Sequence, residues 1–306
     1  MPDPYRVWLA EIMLQQTTVP HATRYYLAFT ERWPTVGDLA AAKDEDVMAA
    51  WAGLGYYARA RNLLKCARQI VADCGWPETI KGLLKLPGIG PYTAGAVGAL
   101  AFGLKAAAVD GNVERVFSRL LATKGEWAAE KSRIRGIVEA LVPADRPAEF
   151  AEGLMDLGAT VCTPTRPNCL ICPLREICAA RAEGDPTRYP IKPKKAPKPT
   201  RTGHVYVLFD RAGNVLTERR PDKGLLGGML GLPTSDWTED TAPPAAYPAN
   251  ADWQEIGEVR HVFTHFALTL KVWHAEAKIE GDKTPHVTAA GSLPSVFAKA
   301  LKLAKE

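Results

Sequence analysis

Along residues 1 to 180 apolar side chains recur at helical spacing and strand-like alternation is scarce, so this stretch reads as all-α. Residues 56 to 73 illustrate it. Leu63, Leu64, Ala67, Ile70 and Val71 form one stripe, Arg59, Arg61 and Arg68 take polar positions, and Gly75 marks the stop of a basic helix beside a core. From 203 to 280 the pattern becomes strand-like. Strands are predicted near Val205 to Phe209 and Val215 to Thr217, joined by a turn over Asp210-Arg211-Ala212-Gly213-Asn214. A last helix carries Phe297, Ala300, Leu301 and Ala304 on one face. The expected fold class is multidomain, an all-α domain followed by an α+β domain.

A chain of 306 residues fits two domains. Between Arg188 and Arg201 there are six Lys or Arg and no acid, with prolines at 190, 193, 197 and 199, which marks a stiff cationic linker. The expected boundaries are 1–183, a linker at 184–202, and 203–306. The linker is either a solvated connector or a connector that also touches phosphate. With 47% apolar residues the chain reads as globular. No apolar run approaches the roughly 20 residues of a membrane span, and the first residues lack a signal layout, so a soluble intracellular protein is expected. A net charge of +4 decides nothing about nucleic acid.

Four of the six cysteines, Cys162, Cys169, Cys172 and Cys178, fall within 17 residues in a Cys-x6-Cys-x2-Cys-x5-Cys pattern. Thiolates this close in an intracellular protein suit a soft metal centre better than disulfides. Zinc competes for such a site, but zinc ribbons pair two Cys-x2-Cys knuckles and only one is present, which favours a [4Fe-4S] cluster. Cys66 and Cys74 read as buried, inert residues of a helical stretch.

Leu86-Pro87-Gly88-Ile89-Gly90-Pro91-Tyr92-Thr93-Ala94-Gly95 puts a glycine turn between two helices, a helix-hairpin-helix signature. Gly88 and Gly90 let the backbone turn tightly so that its amides and the next helix's N-terminus can face a DNA phosphate, and Pro91 suits the first helical position. Alone, such a turn reads equally as structural. Together with the four-cysteine loop and the intervening Val109-Asp110-Gly111-Asn112-Val113, it resembles the endonuclease III superfamily. Within that superfamily, Trp8 to Thr17 and Gly53 to Leu63 resemble the adenine glycosylases of the MutY type, and the resemblance spans nearly the whole chain.

The resemblance implies excision of adenine mispaired with 8-oxoguanine or guanine in double-stranded DNA, by a monomeric, cytoplasmic and nucleoid-associated repair enzyme. Breaking an N-glycosidic bond calls for one protonated carboxyl to donate to the base and one ionised carboxylate beside the sugar cation. Glu11, beside Ile12 and Met13 on an apolar helix, is assigned the acid, because desolvation raises its pKa. Asp110, before Gly111 and Asn112 at a helix entrance, is assigned the carboxylate that stabilises the cation. Tyr92 and Asn112 are implied as hydrogen-bonding residues near the sugar and Asp110. Strand-cutting relatives place a Schiff-base lysine at the position of Tyr92, so a monofunctional glycosylase is expected. Lys85 reads as a solvated helix residue.

Extruding a base also needs something to fill the stack. By resemblance Gln16, in the turn after Leu14, and Tyr56 wedge into the duplex; ordinary packing is the alternative for each. Leu225 to Pro233 resembles a segment of the Nudix-like recognition domain. Magnesium-dependent nucleotide hydrolysis would need a downstream Arg-Glu-x-x-Glu-Glu helix, which is missing after Pro233. Phe263-Thr264-His265-Phe266 matches the loop that contacts 8-oxoguanine, with Thr264 where serine is commoner; alone, His265 reads as a plain sheet histidine. A catalytically silent DNA-binding iron–sulfur protein is the remaining alternative, opposed by Glu11 and Asp110. Family members carry a further helix and a Leu-Pro-Trp-Arg-like segment ahead of the match to Asp3-Pro4-Tyr5-Arg6-Val7-Trp8, so either a truncated start assignment or a version with weakened stability is expected.

Overall fold

The computed structural model describes residues 2–193, 197–221, 224–239, 241–279 and 293–306; three residues of the expected linker, 194 to 196, lie outside them. The chain divides into two compact units, one of Met1–Ala50 with Arg59–Lys194, the other of Trp51–Ala58 with Lys195–Glu306.

The first unit is helical. Its helices are α1 (Pro4–Leu14), α2 (Val19–Arg32), α3 (Val36–Ala41), α4 (Asp44–Ala50), α5 (Ala58–Ala72), α6 (Ile80–Leu83), α7 (Pro91–Phe102), α8 (Gly111–Leu120), α9 (Trp127–Leu141), α10 (Pro147–Asp156) and α11 (Ala179–Ala182). At its centre is α7, packed by α1 and α10. It is apolar all round, with Ala94, Ala96, Val97 and Ala99 fully buried, as a helix enclosed on every side must be. Small residues allow close approach. A Cβ on Gly95 would collide with the Ala107 carbonyl oxygen, so glycine there brings α7 against the segment leading into α8. Along α5, Leu63, Leu64, Ala67 and Ile70 are buried as the stripe predicts, but Val71 is 48% exposed. Five residues in 15 form a wider stripe than the helix presents to its neighbours, and Val71 lies past its edge. Cys66 is buried, which pushes its thiol up to about 12. Cys74 departs from expectation: it is exposed and left-handed (φ 60°), in the turn where its amide donates to Val71 and that of Gly75 to Ile70. The helix ends three residues before Gly75, so Cys74 is outside the core.

In the second unit β1 (Thr200–Phe209), β4 (Thr238–Glu239), β5 (Gln254–Val262) and β6 (Ala267–Glu276) form a sheet in the order β4-β1-β6-β5, and β2 (Glu218–Arg219) pairs with β3 (Leu230–Gly231). Strands β1 and β6 are parallel, in register from Thr200 opposite Ala267 to Phe209 opposite Glu276. Residues 203 to 208 are buried without alternation, because both sheet faces are covered. On one face α12 (Ser295–Leu303) seats Val296, Phe297, Ala300 and Leu301 on Val205, Val207, Leu268, Leu270 and Val272. The Asp210–Asn214 turn forms as expected, with Asp210 Oδ1 accepting from the amides of Ala212 (2.9 Å) and Asn214 (2.8 Å). Val215 to Thr217, expected as a strand, makes only an isolated bridge from Val215 to Phe209; regular pairing begins at Glu218. The tight turn closes after one rung and the chain then leaves β1 for β3.

Candidate active site and thiol pocket

Glu11 is carried into the helical core by α1. Asp3 starts that helix by accepting from the Tyr5 amide at 3.0 Å, with Pro4 in its first turn, and Trp8, Leu9, Ile12 and Met13 bury its inner face. Only 9% of Glu11 is exposed. Burial raises its pKa above the ordinary carboxylate range; the Tyr92 hydroxyl opposes that rise by hydrogen bonding, and the charge of Asp110 adds to it. Tyr92, at the start of α7, is itself driven upward by burial and by Glu11, so it remains a phenol. Its oxygen also lies 3.2 Å from Met155 Sδ. One phenolic proton cannot serve both neighbours, and a carboxylate is a far better acceptor than a thioether, so the proton turns to Glu11 when Glu11 is ionised.

Asp110 is the N-cap of α8. Its Oδ1 accepts from the amides of Asn112 (2.9 Å) and Val113 (2.8 Å), and its Oδ2 from Asn112 Nδ2 (2.7 Å). The two carboxyl groups thus sit in contrasting surroundings, Glu11 among apolar side chains and Asp110 on donors. Asn112 is fixed in turn by Arg115, whose Nη2 donates to Asn112 Oδ1 (2.9 Å) and the Gly158 carbonyl (2.7 Å). Arg115 Nε reaches the carbonyl of Cys162 at 2.8 Å. Glu11, Tyr92, Asp110 and Asn112, proposed from sequence, are therefore gathered in one region. Met155 and Arg115 had no signal in the sequence beyond their helical positions.

The hairpin turn follows α6 and ends at Gly90, the N-cap of α7, with Pro91 in its first turn. Gly88 has φ 77°, and a Cβ there would lie 2.7 Å from Asn62 Cβ. Lys85 is exposed within this turn rather than on a helix, because α6 ends at Leu83. Gln15, next to Gln16, donates to Thr93 Oγ1 at 3.3 Å, and Arg59 Nη1 holds the carbonyls of Ile12 (2.9 Å) and Gln15 (2.6 Å). Arg59 and Arg68 are thus engaged by neighbouring backbone, Arg68 through the carbonyls of Ala40 and Ala42. Gln16 is exposed and left-handed (φ 59°). In the second unit Tyr56 is likewise left-handed (φ 49°) and 49% exposed, and its hydroxyl accepts from Thr264 Oγ1 at 3.3 Å. Such backbone costs on the order of 1 kcal/mol for a residue with a side chain, a cost that clusters where a side chain must be presented. Thr264 and His265 are exposed between β5 and β6.

Cys162, Cys169, Cys172 and Cys178 line one pocket with Val116, Leu120 and Leu174, and none is in a disulfide. Burial first, then the other three cysteines, raise the pKa of Cys169. Thiolates that oppose one another need a cationic centre to coexist. Among the described residues no three His, Cys, Asp or Glu are arranged to hold a single metal ion. Beside them Arg119, 2% exposed, donates to the carbonyls of Tyr189, Thr163 and Pro164 and to Cys162 Sγ at 3.3 Å. A buried guanidinium on neutral carbonyls and a sulfur suits an anionic thiolate centre. The residues fit an iron–sulfur cluster.

Residues 9–143 match the family of helix-hairpin-helix superfamily base excision DNA repair proteins, and residues 204–303 match the NUDIX domain. An adenine DNA glycosylase of Buchnera aphidicola subsp. Schizaphis graminum is 38% identical over 271 residues, covering 86% of this chain and 78% of that protein. The chain belongs to the adenine DNA glycosylase family. The human adenine DNA glycosylase is 33% identical over 88% of this chain, which spans 60% of the human protein's length. Among solved structures, a thermostable thymine-DNA glycosylase matches 60% of this adenine glycosylase family member and 86% of its own chain, with 32% identity and a TM-score of 0.55. An endonuclease III bound non-covalently to DNA matches the same share at 26% identity and a TM-score of 0.53. Among the described residues no helix is long and apolar enough to cross a membrane.

Proposed function

We propose that this protein is a monofunctional adenine DNA glycosylase that removes adenine opposite 8-oxoguanine or guanine from duplex DNA. The observation that carries the reading is the pairing of a buried Glu11, its pKa raised by desolvation, with Asp110 held on the N-terminal donors of α8. Glu11 donates its proton to a ring nitrogen of adenine, so the departing base takes the glycosidic electron pair as a neutral molecule. Asp110 lies beside the sugar and stabilises the cation, Asn112 keeps its carboxylate aimed, and water adds at the anomeric carbon, releasing a proton to solvent. Tyr92 orients Glu11 by hydrogen bonding. Being a phenol, it offers no amine for a Schiff base, so no strand scission accompanies base loss.

Gln16 and Tyr56 fill the stack left by the extruded base, Gly88 and Gly90 turn the hairpin amides toward a phosphate, and Thr264 and His265 contact the base opposite adenine. Cys162, Cys169, Cys172 and Cys178 would hold a [4Fe-4S] cluster, which would tie the turns of that loop to one another when bound. Nucleotide hydrolysis by the second unit lacks support. Among the described residues from 198 to 294 there is no helix to carry an acidic magnesium site. The test is base release from a duplex with adenine opposite 8-oxoguanine, scoring strand breaks with and without alkali. Breaks that need alkali are expected; breaks without it would identify a lyase and overturn the role given to Tyr92.

A further inference from the structure

The turn between β5 and β6 is small, and its support is specific. The Phe263 amide donates to the Phe266 carbonyl at 2.9 Å, which leaves Thr264 and His265 as the two tip residues. Both flanking rings rest on Trp237, the residue before β4. Its indole stacks on Phe263 with centroids 6.0 Å apart and planes 21° from parallel, and it meets Phe266 at 6.3 Å and 55°. The two phenylalanines meet each other at 5.1 Å.

Other groups hold this seat in place. The Arg220 guanidinium lies 5.0 Å from the Trp237 ring, and that of Arg201 lies 4.6 Å from the Phe266 ring. Lys198 Nζ donates to the Phe263 carbonyl at 2.9 Å. Beneath, β1 makes room by carrying Gly203, where a Cβ would come within 2.9 Å of Trp237 Cδ1 and 3.0 Å of the Asp236 carbonyl oxygen. The indole Nε1 is buried without a hydrogen bond. A tryptophan that loses its one polar contact yet keeps its place is there for its faces, since a ring without the N–H would avoid the desolvation cost.

We propose that Trp237 is a positioning residue for recognition of the base opposite adenine, its ring setting the turn that presents Thr264 and His265. The inference rests on the reading of that tip as the opposite-base contact. Seating both flanking rings against one indole, Phe263 stacked and Phe266 tilted, limits the tip to a single arrangement, so its polar groups meet the base without first being ordered. Trp237 touches no reacting atom, and its effect passes through the turn alone.

Base release under single-turnover conditions, from adenine opposite 8-oxoguanine and opposite guanine, measures it. Trp237→Leu, which keeps an apolar filler and removes the stack, is expected to lower the 8-oxoguanine:guanine preference about tenfold while the rate opposite guanine stays within about twofold. Trp237→Phe should restore most of the preference. A role confined to general stability would lower both rates by one factor and shift the melting temperature, and that result overturns the proposal. So does an unchanged preference in Trp237→Leu when His265→Ala lowers it. If His265→Ala also leaves the preference intact, the tip is not the opposite-base contact, and the seat falls together with the reading beneath it. Should Trp237→Leu fail to fold, His265→Ala together with Trp237→Phe and Trp237→Tyr decides between the same outcomes, a graded loss of preference with the size and polarity of the ring supporting the seat.

Discussion

Glu11 holds its proton more tightly than a solvated carboxyl group does, because leaving water costs a carboxylate more than it costs a carboxylic acid. The folded protein therefore binds that proton more tightly than the unfolded chain does. Stability from this group is fully present below its unfolded pKa and is lost as pH rises through the raised folded value. Glu11→Gln, which cannot ionise, should melt above the wild type at pH 8 and show no such gain at pH 4; a difference independent of pH would contradict the burial argument. The carboxylate's surroundings were legible, since Ile12 and Met13 beside it signal an apolar helix face. The partners of Tyr92 and Asn112 were not. Met155 and Arg115 come from α10 and from one turn along α8, and nothing in the periodicity of either helix singles them out.

At the scale of elements, the hairpin turn depends on Gly88. Alanine there would have to adopt φ 77° and place its Cβ 2.7 Å from Asn62 Cβ, so Gly88→Ala should destabilise the protein by about 1–3 kcal/mol, read by urea unfolding. Its affinity for duplex DNA should fall as well, whereas an alanine variant with wild-type stability and binding would show that the turn relaxes freely. The glycines and Pro91 announced this turn, because each marks a backbone state that few other residues accept. What they left open is the length of the first helix, which is four residues. Similarly, the apolar residues at Val215 to Thr217 read as a strand, but strand formation needs a partner in register, and beyond the single bridge to Phe209 the chain leaves the edge of β1. The change from helical to strand-like pattern near residue 200 located β1 correctly, since its apolar run is long enough to be covered on both faces.

For the whole molecule, the sequence separates a helical part from a sheet-bearing part, while contacts group Trp51–Ala58 with the second unit. Chain order gives no warning of that, because a loop with Gly53 and Gly55 in left-handed backbone follows no period. The four cysteines were the clearest long-range feature, as their spacing alone predicts the shared pocket. Buried Arg119 was invisible, since an arginine on a helix reads as solvated until its carbonyl partners are known. These parts serve one central claim, that a buried acid and a capped carboxylate divide the work of breaking the glycosidic bond. Its most direct measurement is the single-turnover rate of adenine release opposite 8-oxoguanine, as a function of pH, for the wild type, Glu11→Gln and Asp110→Asn. The account predicts a wild-type rate that falls as pH rises through the raised pKa of Glu11, and a loss of about 100-fold or more, without that pH dependence, in Glu11→Gln. Asp110→Asn should lose activity while keeping a pH limb, moved to lower pH because the charge of Asp110 helps raise the pKa of Glu11. A Glu11→Gln enzyme that releases adenine at the wild-type rate with an unchanged pH profile would contradict it.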